Sequence, residues 1–335
     1  MNFSALMVPI LMVATVPGAG EGRAPVGAEC DDPRLVQVGD APRLAVLDAG
    51  PDSGEPVLLI GGTDQQLTDW PASLMEALAA RGFRPIAYDA RDVGCSSRMD
   101  ETGAPDWPAI FTALASGKTP AVPYRLADLA DDAVAVADAA GVRQFHVLAA
   151  SGGAATAALI AERYPDRIAS MVLLMPGSGD PAIPVPADPK RLAALPAPPA
   201  ADAPRDAIIA YRIALGEALE GPGPRRSQQE IASRARAATG RAWNPDGIAR
   251  SGAAILAAGD LRATFARISA PVVVIHGLDD PLIAPAHGRT VADGIPGARF
   301  EGIDGLGHSL PDAVVGTVVN ALVDVANAAR GSDAE

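Results

Sequence analysis

The hydrophobic positions of this chain gather into short runs with little polar alternation, at residues 56–60, 84–88, 145–150, 168–174 and 271–275. Runs of that kind predict strands buried on both faces of a parallel sheet. Residues 298–303 predict one more strand, and 35–38 with 43–47, joined through 39–42, predict a hairpin-like pair at the start. Between the strands, helical spacing predicts helices over 71–80, 126–140, 154–163 and 313–329, and from Pro281 to about 294. Pro71 opens the first, Gly82 ends it, and Gly141 closes the second. Residues 100–123, rich in Gly, Pro and Thr, predict a loop.

The pattern changes between 176 and 261. Residues 176–204 are crowded with Pro and Ala, and the stretch after them carries two or three helical segments, including 205–219 and 228–238. The strand pattern then resumes at Pro271. This order predicts a doubly wound, mostly parallel α/β sheet interrupted by a helical insertion. The expected division is a leader over 1–33, a first core part over 34–178, a helical cap over 179–261 and a second core part over 262–330.

Within the leader, residues 4–16 are apolar and broken only by Pro9, with small residues following at 17–22. A signal peptide has this apolar region, but no Lys or Arg precedes it here, so a disordered leader or a start assigned too early stands beside that reading. The compartment follows the leader: secreted or periplasmic if it is a signal peptide, cytoplasmic otherwise. The run is too short and too proline-broken for a transmembrane helix, so no stable membrane insertion is expected.

Composition narrows the partners. A net charge of −13 without a cluster of Lys or Arg argues against nucleic acid, because affinity for phosphates comes from clustered cations. Cys30 and Cys95 make no disulfide framework and match no metal spacing, so the chemistry is expected not to depend on them. There is no phosphate-binding loop, dinucleotide fingerprint or metal cluster in the sequence, and neither cofactor nor metal is expected.

The chemistry gathers where the run 145–150 breaks into a helix at Ser151-Gly152-Gly153. A tight strand-to-helix turn lifts a serine hydroxyl clear of the sheet and leaves backbone N–H groups beside it. Small neighbours let strand and helix cross, and here they are Ala149, Gly152, Gly153 and Ala154. A serine hydroxyl needs a base to take its proton and an acid to hold that base's tautomer. Asp280 and His308 follow later strands in the order nucleophile, acid, histidine. Asp279 is a rival for the acid, and Asp180 a weaker one. His146 and His276 bracket core strands and His287 lies on an expected surface helix, so these three read as structural. For the oxyanion, the expected donors are the backbone N–H groups of Gly152 and of Thr63, in the Gly61-Gly62-Thr63 turn after the run 56–60.

These features resemble the α/β-hydrolase superfamily. Asp89-Ala90-Arg91-Asp92-Val93-Gly94-Cys95-Ser96 looks like its D-x-R-x-x-G-x-S segment. The segments at 60–71, 124–130 and 305–311 are similar to a branch of bacterial serine esterases that contains aclacinomycin methylesterase. The resemblance implies the α/β-hydrolase fold and cofactor-free ester hydrolysis through an acyl-enzyme. Ala149 at the first elbow position, Asp64 beside the oxyanion turn and the Ala- and Pro-rich cap depart from the pattern. The expected activity is a serine esterase acting on small to medium apolar esters. The alternatives are the same three residues acting on a lactone, thioester, amide or carbon–carbon bond, or a non-catalytic small-molecule binding protein of this fold.

Overall fold

The computed structural model describes Cys30 and residues 42–186 and 189–332. Apart from Cys30, the leader lies outside the described residues, as does the strand expected at 35–38.

The frame is a seven-stranded sheet of β1 (Val46–Asp48), β2 (Glu55–Ile60), β3 (Phe83–Tyr88), β4 (Phe145–Ala150), β5 (Ile168–Leu174), β6 (Val272–Gly277) and β7 (Arg299–Ile303), in the order β1-β3-β2-β4-β5-β6-β7. Only β1 runs antiparallel, against β3. Every residue of β4 and of β6 is buried, which is why these runs lack polar alternation.

Helices cover both faces. α1 (Ala72–Ala80) and the long C-terminal helix (Asp312–Ser332) pack on one, joining Leu74, Leu78, Val318 and Leu322 to Val57, Leu59 and Leu148 of the sheet. α3 (Leu126–Ala139), α4 (Gly152–Arg163) and α10 (Pro285–Gly294) contribute to the core on the other, where Ala133, Ala157, Ile160 and Val291 meet Leu58, Val147 and Val274. Fully burying a side chain of Leu, Ile or Val size is worth about 1.5–3 kcal/mol each, so these two layers hold the sheet. The C-terminal helix, α11, is long and apolar enough to cross a membrane by composition, yet half of that stretch is buried within the protein.

One expected loop contains a helix. Within 100–123, α2 (Trp107–Ala115) starts at Asp106, whose side chain accepts the Ala109 N–H at 3.0 Å, with Pro108 in the first turn. Its Trp107 and Ile110 are buried against Ala249 and Ala253. That spacing of apolar residues outweighs the surrounding Gly and Pro that pointed to a loop.

Between β5 and β6 the chain leaves the sheet and forms α5 (Pro189–Ala193), α6 (Arg205–Ala218), α7 (Gln228–Arg241), α8 (Pro245–Ala258) and the short α9 (Arg262–Phe265). The Leu261 N–H donates to Ser178 O at 3.0 Å and closes this excursion at its base. Two buried ion pairs fasten it to the loop after β3. The Arg241 guanidinium bonds to Asp89, and Arg250 grips both oxygens of Asp92 at 2.6 and 2.8 Å.

The segment from Asp89 to Ser96 is a small lock. Asp89 accepts the N–H groups of Leu67 at 2.7 Å and Cys95 at 2.9 Å, while Ser96 Oγ donates to Asp89 O and accepts from Ala45 N. A Cβ on Gly94 would fall 2.2 Å from Asp89 Oδ2, so only glycine fits beside that carboxylate. Cys95 is also joined to Cys30 in a disulfide. Two cysteines expected to make no disulfide framework are thus joined, and Cys30, 65 positions back in sequence, is tied to this lock. With two cysteines, no spacing pattern in the sequence could show that pairing.

Candidate active site

β4 ends at Ala150, and the turn into α4 is made by Ser151 at φ 52° and ψ −122°, a conformation L-residues rarely adopt. The surroundings hold it there. Ser151 N–H donates to Leu174 O at the end of β5. Gly153 lets α4 pass β2 closely, because a Cβ there would lie 2.3 Å from Ile60 O. Ala149 is completely buried in the core, where its methyl packs without displacing the turn.

Three residues expected to work together lie in line. His308 Nε2 is 3.1 Å from Ser151 Oγ, and His308 Nδ1–H donates to Asp280 Oδ2 at 2.6 Å. Asp280 is 3% exposed and follows β6. Its other oxygen accepts the N–H groups of Leu282 at 2.8 Å and Ile283 at 2.9 Å. Burial alone opposes ionisation of Asp280, but the facing His308, with hydrogen bonds from His276 and His308, outweighs it and holds the carboxyl well below the usual carboxylate range. A permanently charged acid fixes the imidazole with Nδ1–H toward Asp280 and the Nε2 lone pair toward Ser151.

The rival acids are engaged elsewhere. Asp279 accepts the Gly305 N–H at 3.0 Å and so braces the loop that carries His308. Asp180 pairs with Arg262 at 3.1 Å.

The turn after β2 faces the serine. A Cβ on Gly62 would lie 3.0 Å from Ser151 Cβ and 3.6 Å from its Oγ, and one on Gly152 would lie 3.7 Å from Thr63 N. Thr63 N therefore lies close to Gly152, the residue directly after Ser151, and neither the Thr63 nor the Gly152 N–H donates to another residue among those described. Over them, the same Gly152 Cβ would meet Ile255 Cδ1 of α8 at 2.6 Å, so an apolar side chain roofs this spot.

Several contacts were not visible in the sequence. His276, expected only to end a strand, is buried with Nε2 3.0 Å from Ile283 O and 3.4 Å from Asp280 Oδ2. His287, expected on a surface helix, is 2% exposed and bonded to Ser178 Oγ at 2.7 Å, because α10 turns that face into the core. The His308 loop is held from the inter-strand helices as well. His308 N–H donates to Leu219 O at 2.8 Å, Gly223 N–H donates to Gly305 O at 2.8 Å, and Ser309 Oγ donates to the buried Glu220 at 2.9 Å. His146, at the far end of β4 from the serine, bonds to Ser170 at 2.8 Å and Glu55 at 3.1 Å. Among the described residues no group of His, Cys, Asp and Glu has the arrangement of a metal site.

Comparison with known proteins supports the fold. A family model described as alpha/beta hydrolase fold matches residues 55–312. Rhodomycin D methylesterase DauP of Streptomyces sp. strain C5 is 32% identical over 286 residues, covering 79% of this chain and 88% of that protein. Rhodomycin D methylesterase DnrP of Streptomyces peucetius is 30% identical over 284 residues with the same coverage. Among solved structures, a hydrolase from Pseudomonas aeruginosa PA01 superposes with TM-score 0.58 at 25% identity, covering 87% of this chain and 97% of its own.

Proposed function

The chain belongs to the α/β-hydrolase family, and from that premise we propose that it hydrolyses carboxylic esters with Ser151 as nucleophile, His308 as general base and acid, and Asp280 holding His308. The observation that supports these roles is the continuous line of hydrogen bonds from Ser151 Oγ through both nitrogens of His308 to the buried Asp280. Ser151 Oγ attacks the ester carbonyl carbon as its proton passes to His308 Nε2. Negative charge gathers on the carbonyl oxygen, against the N–H groups of Thr63 and Gly152. His308 then gives the proton to the departing alkoxide, and a water molecule repeats the sequence to release the acid.

The helical stretch between β5 and β6, 179–261, acts as a cap on the sheet core that the rest of the described chain forms. The Leu261 to Ser178 backbone bond supports that division, and the Ile255 side chain over Gly152 supports an apolar pocket beneath the cap. The methylesterase relatives make esters of a small alcohol the first class to assay.

The test is hydrolysis of p-nitrophenyl esters from acetyl to dodecanoyl, and of simple methyl esters, by wild type and Ser151→Ala. Loss of at least about 1,000-fold in kcat on every accepted ester is expected for the variant. Equal activity in both proteins would overturn the assignment of Ser151. Inertness of wild type toward every ester would overturn ester hydrolysis.

A further inference from the structure

The turn after β2 places a carboxylate at a left-handed position beside the Thr63 amide. Gln65 N–H donates to Gly62 O at 3.1 Å, closing a turn whose central residues are Thr63 and Asp64. Asp64 takes the left-handed φ of 59°. The third position of such a turn ordinarily goes to glycine or asparagine, which reach positive φ at little cost. In this chain the position holds a carboxylate.

Its partner explains what it does. Arg212, on α6 of the proposed cap, reaches across to Asp64 with Nη1 3.0 Å from Oδ2 and Nη2 3.5 Å from Oδ1. Both side chains are largely buried, and burial raises the Asp64 carboxyl above its usual value, with Arg212 the strongest opposing influence. The guanidinium is itself fixed. It sits 5.2 Å from the Trp243 ring centroid, with Nη2 3.4 Å from Ala242 O. Trp243 packs edge-on against Tyr211, and its Nε1–H donates to Ala200 O at 3.1 Å. A single line of contacts therefore runs from the Pro- and Ala-rich entry of the cap, through Trp243 and Arg212, to the residue directly after the Thr63 amide.

We propose that Arg212 and Asp64 are positioning residues that hold the Thr63 N–H in its oxyanion-receiving place, so that seating the cap and completing the oxyanion site are one event. This rests on the serine-esterase reading above. An ordinary anchoring pair would add stability and leave the chemical step alone. A pair that sets the turn acts on kcat and leaves substrate affinity nearly untouched, because the charge it serves exists only in the transition state.

The experiment compares wild type with Asp64→Asn, Asp64→Gly, Arg212→Met and Asp64→Asn/Arg212→Met. It reads kcat and KM on p-nitrophenyl butyrate, the rate of inactivation by a fluorophosphonate, whose phosphoryl oxygen occupies the oxyanion site, and the thermal midpoint. Each single variant is expected to lose about 10-fold in kcat and in phosphonylation rate, with KM moving less than about three-fold. The double variant is expected to be no slower than the worse single one, since the pair acts as a unit. Asp64→Gly separates the two roles. Like Asp64→Asn it leaves Arg212 unpaired, but it relieves the left-handed backbone, so its midpoint should fall less than that of Asp64→Asn while kcat falls as far.

Unchanged kcat and phosphonylation in the Asp64 variants would overturn the inference, as would a rise in KM alone or losses that multiply in the double variant. Should Arg212→Met fail to fold, the two Asp64 variants decide. A wild-type protein that resists phosphonylation, or labelling that survives Ser151→Ala, would instead defeat the serine-esterase reading, so the two failures are distinct.

Discussion

At the scale of single residues, burial decides which polar groups carry charge. Asp280 is buried and ionised because two histidines and two backbone amides meet it. His287 is buried too, and burial depresses its pKa below the ordinary 6.5 even though the Pro184 carbonyl and Asp180 act to raise it. The unfolded chain therefore takes up a proton near pH 6.5 that the folded protein refuses. Stability attributable to His287 is complete above that value and declines as pH falls from it toward the depressed folded value, by up to about 1.4 kcal/mol per pH unit. Urea midpoints measured at about pH 7.5 and 5.5 are expected to separate less in His287→Gln than in wild type. Equal separations in the two proteins would contradict this. The placing of Ser151 could be read in the sequence because its signal is local: an apolar run, a serine and small residues side by side. The partners of Asp64, Asp280 and His287 could not, since Arg212, His276 and Ser178 come to them through folding and leave no spacing to read.

Among elements, the strands were the most legible, because burial on both faces leaves an unbroken apolar run. α2 was the least legible, its few buried residues lying amid turn formers. The cap helices were visible as helices, but their attachment was not. α7 and α8 are bolted to the loops beside the sheet. Gln66 accepts from Arg241 and donates to Ala238 O, while Asn244 and Arg250 converge on Asp92. Arg250 is 2% exposed, so its removal strands a buried carboxylate. Arg250→Met is expected to cost about 3–5 kcal/mol in chemical denaturation. A cost below about 1 kcal/mol would show that α8 is held by its apolar contacts with α2 instead.

For the molecule as a whole, the Cys30–Cys95 bond spans 65 positions in sequence. Restricting the unfolded chain over a loop of that size is worth about 2–4 kcal/mol, so the denaturation midpoint should fall on adding reductant and in Cys30→Ser/Cys95→Ser alike. A midpoint indifferent to both would mean that the bond contributes nothing to folding. The cap has a consequence of another kind. β5 and β6 are neighbours in the sheet, yet the entire excursion from Met175 to Pro271 separates them in the chain. Ser151 is synthesised on one side of that excursion, and Asp280 and His308 on the other. A strand pair so remote in sequence is entropically expensive to close and late to form. A chain emerging from synthesis therefore has five of the seven strands and the Ser151 turn in hand before Asp280 and His308 exist. On the proposed mechanism, the nucleophile is armed only once the chain after Pro271 has been made and has closed onto the sheet.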